Sequence, residues 1–261
     1  MTSADPPPAS AAPVGTDILD DPLEEVQRVV AAARAGGINL AGTGGVAVAL
    51  SCPSARVAPL RREYGDLDFA ARARDARHIQ QAFIGLGYEP DTEFNSLHGE
   101  SRLFFLDKAR RREADVFLDA IRGCHELPVA DRLHAPMLSP ADLLLSKLQV
   151  RETNRKDLLD IYALLIDHDL TDDETGISTE RIAEVCGGDW GWWRTVSEVS
   201  VRAKSSADEI LGAGPRSERV RAGLTRVGEL LLQAPKTRRW KMRARVGDRV
   251  RWYESPEELA H

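Results

Sequence analysis

The chain has 261 residues, of which 43% are apolar and 29% charged, and its net charge is −6. That is enough chain for one large domain or two modest ones with real hydrophobic cores. It excludes a general nucleic-acid binder on charge, and a membrane span because no run of about 18 apolar residues occurs. The N-terminus lacks the basic-then-apolar pattern of a secretory signal. Cys52, Cys124 and Cys186 stand far apart without metal-ligand spacing. The expected setting is therefore a reducing cytoplasm, with inert thiols.

Residues 1–16, rich in Pro, Ala and Ser, are expected to be a disordered tail. Asp21-Pro22 predicts a helix start, with Asp as cap and Pro in the first turn, running to Arg34 and stopping at Gly36-Gly37. Ile38 to Ala41 reads as a short strand, followed by the turn Gly42-Thr43-Gly44-Gly45 and a helix-like run, Val46 to Leu50. A strand is predicted from Asp66 to Ala70 and a helix from Arg74 to Leu86. Ser101 to Leu106 and Glu113 to Leu118 read as a hairpin around the basic turn 107–112. The pattern so far suits an α/β fold of α+β type, a small mixed sheet backed by helices.

The rest reads as helical. Ser139-Pro140 opens a helix to Val150, Asn154 caps another to Asp167, and three more are expected over 178–186, 190–211 and 216–233. From 239 to 253 the pattern switches to alternation: Trp240, Met242, Ala244 and Val246 on one side, Lys241, Arg243 and Arg245 on the other, then Gly247-Asp248 as a turn. A basic C-terminal β-hairpin is expected there, with eight cations against one acid between Lys236 and Arg251. Such a face suits phosphates, in an RNA acceptor, or an acidic protein partner; charge that keeps a strand edge soluble is the competing reading.

Asp66 and Asp68 carry the chemistry. Two residues apart on a strand, they share a face, while Leu67 and Phe69 are buried behind them. Adjacent carboxylates raise each other's proton affinity unless a cation lies between them. Mg²⁺, which takes oxygen ligands and bridges carboxylates to phosphates, is the natural one, and Mn²⁺ can replace it. An Asp-x-Asp merely facing water is the bland alternative. Upstream, Gly44-Gly45 opens a helix whose backbone N–H groups suit phosphate. Asp115, between apolar neighbours on a strand, is a third acid that needs a reason to be there. It could share a second metal and accept the proton of an attacking hydroxyl. Asp119 follows by strand period at the strand's end.

Gly44-Gly45, Asp66-Leu67-Asp68-Phe69 and Ala114-Asp115-Val116, in that order on those elements, resemble the DNA polymerase β-like nucleotidyltransferase superfamily over about residues 25 to 120. The resemblance implies a nucleotidyltransferase-fold domain (17–135) in which Asp66 and Asp68 hold the metal of a nucleoside triphosphate. Asp115 would complete a two-metal site, and Gly44 and Gly45 would approach the phosphates. Beyond it lie a helical domain (136–235) and the basic hairpin (236–261). Lys147 followed by Lys156-Asp157-Leu158-Leu159-Asp160 looks like the AbiEii/AbiGii branch, which includes toxins of toxin–antitoxin systems. That likeness implies Lys147 on the triphosphate and Asp157 near the site, with the 3′ end of a tRNA as an acceptor and an antitoxin as a partner. The alternatives are a snorkelling Lys147 and a Lys156–Asp160 surface pair. A small-molecule (aminoglycoside-type) nucleotidyltransferase and a non-catalytic binding protein on the same fold remain as other functions.

Other chemistries find no motif. The six histidines form no i,i+4 ligand pair, and neither a Gly-x-Ser-x-Gly elbow nor a Walker-type loop occurs. Trp190, Trp192 and Trp193 read as helix-packing core rather than a base-stacking platform.

Overall fold

The computed structural model describes residues 17–255; the expected tail, 1–16, lies outside them. The first helix, α1 (Pro22–Ala35), starts as the sequence requires, with the Asp21 carboxylate accepting from the N–H groups of Leu23 and Glu24. The chain then forms β1 (Ala41–Thr43), α2 (Gly44–Ser51), β2 (Leu67–Ala71), α3 (Ala76–Gly85), β3 (Glu89–Pro90), α4 (Thr92–His98), β4 (Arg102–Asp107) and β5 (Arg112–Leu118). A small hairpin, β6 (Ala120–Arg122) and β7 (Glu126–Pro128), leads to α5 (Pro140–Leu148) and α6 (Arg155–Asp167). The short pair β8 (Leu170–Thr171) and β9 (Ile177–Ser178) precedes α7 (Thr179–Gly188), α8 (Trp190–Leu211), α9 (Pro215–Gln233) and α10 (Arg238–Val246).

The main sheet is mixed and five-stranded, in the order β1-β2-β5-β4-β3. Strands β2 and β5 run parallel, and the other pairs are antiparallel. Side chains alternate across a strand, so Leu67, Phe69 and Ala71 of β2 and Ala114, Val116 and Leu118 of β5 turn to one face. There they bury against Val26, Val29 and Val30 of α1 and Ile79 and Phe83 of α3. Asp68 and Asp115 fall on the opposite face, and the register makes them direct neighbours.

A second core covers part of that opposite face. Ala47, Val48 and Ala49 of α2 pack with Leu143 to Leu145 of α5, Leu158 to Leu165 of α6, and apolar residues of α8 and α9. Helix α2 thus joins the sheet to the helical half.

The strand expected over Ile38–Ala41 forms later, because pairing rather than apolar content sets its limits. Thr43 opposes Asp68 on β2, and Gly42 exchanges backbone hydrogen bonds with Pro136 and Leu138 on the other side. The larger correction is at the C-terminus, where the basic segment is a helix and not a β-hairpin. Arg, Lys, Met and Ala are good helix formers, Thr237 caps the helix by accepting from Trp240 N–H, and Gly247 ends it with φ +60°. Helical spacing puts Trp240 against Trp193 at 5.5 Å and Arg243, one turn on, over Trp190 at 4.7 Å. Met242, expected on the apolar face with Trp240, is 68% exposed. Trp190 and Trp192 are buried helix-packing residues.

Candidate active site

The site forms at the open face of β2 and β5, where the helical half meets the sheet. Asp68 lies on β2 with Thr43 on one side and Asp115 on the other. Gly44 is required beside it. Its φ is +65°, a conformation open to glycine at little cost, and a Cβ there would overlap the Asp68 carboxylate at Oδ2. Burial pushes Asp68 up to about 6; the neighbouring charges of Asp115 and Asp66 push the same way, while Lys147 and Arg102 oppose them.

Asp66 stands one residue ahead of β2 and is exposed, so strand alternation does not govern its direction as expected. Its charge is nonetheless felt by both Asp68 and Asp115. Asp115 is buried, and burial raises its pKa against the pull of Arg102, whose Nε donates to Oδ1 at 2.6 Å. Arg102 lies over the rings of Phe94 and Phe117 at 5.6 and 5.2 Å. Asn95 of α4 fixes this flank by a reciprocal pair of hydrogen bonds with the Phe104 backbone. Asp119 has a local job instead: with φ +61° at the strand's end, it accepts from Ala73 N–H.

Lys147 comes from α5 to the same place. Burial works against its charge, but Asp160 and Asp157 outweigh that and raise its pKa. The Nζ is 2.9 Å from Asp160 and 3.7 Å from Asp157. It neither snorkels to solvent nor leaves Asp160 to Lys156. Asp160 is 1% exposed and also takes a bidentate bond from Arg62. Asp157 also closes a capping box with Asn154, so its buried carboxylate serves the helix and Lys147 together.

The structure thus brings Asp66, Asp68, Asp115, Gly44, Gly45, Lys147 and Asp157 to one region. Sequence reasoning missed Arg62, Arg102 and Asp160. Asp160 carried a signal, an acid inside the apolar run Leu158 to Leu164 that demands a buried partner. Arg102 was reachable through hairpin register, and the loop holding Arg62 has no sequence signal.

In charge the site holds Arg62, Lys147 and Arg102 against Asp66, Asp68, Asp115, Asp157 and Asp160. Two negative charges are left unbalanced, which is what one divalent cation would offset. Among the described residues, no group of three His, Cys, Asp or Glu side chains is arranged to hold a metal ion. A cation here would rest on Asp66 and Asp68 and complete its shell with water and phosphate oxygens, the usual habit of Mg²⁺. A phosphate would meet the first turn of α2, whose N-cap Thr43 makes no side-chain cap. Thr43 Oγ1 is buried without a partner among the described residues. No protein-family model matches the chain, and no curated protein matches it.

Proposed function

We propose that the protein is a nucleotidyltransferase that moves a nucleoside monophosphate from a triphosphate to an acceptor hydroxyl, on a sheet of nucleotidyltransferase type. The observation that carries this is the neighbourhood of Asp68. Its carboxylate is seated on Gly44, at the start of a helix, in register with Asp115 and within the field of Lys147. Carboxylates, a glycine turn and a fixed cation are what a metal-bound triphosphate needs on its three sides.

In this reading Asp66 and Asp68 hold Mg²⁺, which when bound neutralises charge on the triphosphate. The backbone of Gly44-Gly45 faces the phosphates, and Lys147, aimed by Asp160, offsets charge on the departing pyrophosphate. Asp115 takes the proton of the acceptor hydroxyl, and Arg102 orients its carboxylate. RNA is the acceptor favoured by α10, which exposes Arg238, Arg239, Lys241 and Arg245. Among the described residues Arg239 alone of these forms an ion pair, at 4.0 Å from Asp189.

Calorimetric titration with the four nucleoside triphosphates tests the nucleotide half. Binding that depends on Mg²⁺ and disappears in an Asp66→Asn, Asp68→Asn double variant is expected. Failure of every triphosphate to bind, with or without Mg²⁺, would overturn the proposal.

A further inference from the structure

We infer that Arg62 is a second cation on the phosphate side of this site, and that Asp160 is the positioning residue that aims it, together with Lys147, at the Gly44-Gly45 turn. The inference rests on the nucleotidyltransferase reading and assigns part of its phosphate-binding surface. Arg62 belongs to the loop before β2. Its Nε and Nη2 donate to Asp160 at 2.9 to 3.1 Å, its Nη1 donates to the Glu63 carbonyl at 3.2 Å, and the Tyr64 ring lies under the guanidinium at 4.3 Å. Nη2 fills the space that a Cβ on Gly45 would need, so the cation rests directly on the glycine turn.

A purely structural ion pair would account for one arginine on one buried carboxylate. Three observations go beyond that. Asp160 holds a second cation, Lys147, at 2.9 Å on the same side. Thr43 Oγ1, on a residue 2% exposed, has no hydrogen-bond partner among the described residues, although it adjoins the same turn. Tyr64 Oη is likewise buried and unpartnered. Two fixed cations, the unanswered Thr43 hydroxyl and the start of a helix adjoin one turn. The ligand that answers all of them is a condensed phosphate, with several anionic oxygens a few ångströms apart. Holding the cations in advance removes the ordering cost at binding.

The probes are inorganic pyrophosphate and tripolyphosphate, titrated calorimetrically into the full chain, so that neither base nor acceptor enters. Wild type is expected to bind tripolyphosphate. Arg62→Gln is expected to weaken it at least about tenfold, the loss of one charge-assisted contact, and Arg62→Lys to recover part of the loss. Arg62→Gln leaves Asp160 paired with Lys147, so its melting curve checks that the variant is folded. Asp160→Asn keeps both cations but removes their anchor, and is expected to weaken binding too. Wild-type affinity in Arg62→Gln, no tripolyphosphate binding by wild type, or tighter binding in Asp160→Asn would each overturn the inference. Transfer activity with unchanged affinity in Arg62→Gln sinks this inference alone. Tripolyphosphate binding lost in Arg62→Gln, with no nucleotidyl transfer to any acceptor, sinks the transferase reading and leaves the phosphate site standing.

Discussion

Asp68 is a residue placed against its own comfort. Its pKa of about 6 lies above the ordinary carboxylate value because burial, Asp115 and Asp66 all disfavour the charge. The folded state therefore holds the Asp68 proton more tightly than the unfolded chain does. Stability is present while the group is protonated and is lost as pH rises through about 6. Asp68→Asn should accordingly stabilise the fold at pH 7.5, on the order of 1 to 3 kcal/mol, seen as a higher melting temperature, with the gain shrinking toward pH 4. A melting temperature at pH 7.5 equal to or below wild type would contradict the strained-carboxylate picture. Gly44→Ala should lose both nucleotide affinity and stability, since the new Cβ meets the Asp68 carboxylate and the φ is unfavourable. Gly45→Ala meets the Arg62 guanidinium at Nη2 and should push it off Asp160, lowering stability and phosphate affinity together; wild-type stability there would contradict the geometry. The place of Asp68 was legible in the sequence from strand alternation, whereas Asp66 lies ahead of β2 and outside the alternation that was to aim it. Asp160 carried a signal in its apolar surroundings, but its spacing from Lys156 fits a surface pair equally well until its burial is seen.

Helices with capping residues were legible to within a few residues: Asp21-Pro22, Ser139-Pro140 and Asn154 each start a helix where the side chain accepts from the first turn. The β4–β5 hairpin followed from alternation alone. Alternation misled at α10, because seven residues of apolar and basic side chains fit both periods and no partner strand was available to decide. Thr237 and the tryptophans of α8 decide for the helix. Thr237→Ala should cost about 1 kcal/mol of helix stability, read as faster amide exchange across Arg238–Val246; unchanged exchange would show that the cap matters little. The helical geometry also sorts the cations. Arg243 is tied to Trp190 and to the carbonyls of Gly247 and Val250, so its loss disturbs the fold. Arg238, Lys241 and Arg245 are exposed. If RNA is the acceptor, as proposed, changing these three to Glu should weaken its binding and flatten the salt dependence while leaving nucleotide affinity intact; unchanged RNA affinity would remove α10 from the proposed acceptor site.

At the scale of the molecule, the site exists because two cores meet. One core joins α1 and α3 to the back of the sheet. The other runs from α2 into the helical half, and it carries Lys147 of α5 and Asp160 of α6 to the carboxylates of β2 and β5. Sequence spacing marked the capped helices and the strands β2, β4 and β5, but neither α10 nor the loop that carries Arg62 over Gly45, which tertiary packing alone determines. Ligand bound at this junction should raise the melting temperature of the whole chain in one transition, as mass action on the folded state requires.

The most direct measurement incubates the protein with Mg²⁺ and each of the four α-labelled nucleoside triphosphates, together with total RNA and a set of aminoglycosides, beside the Asp66→Asn, Asp68→Asn variant. Label carried to one acceptor by the wild type, and to none by the variant, is the expected result. Equal labelling by both proteins, or no label on any acceptor or on the protein itself, would contradict the assignment of these two carboxylates to nucleotidyl transfer.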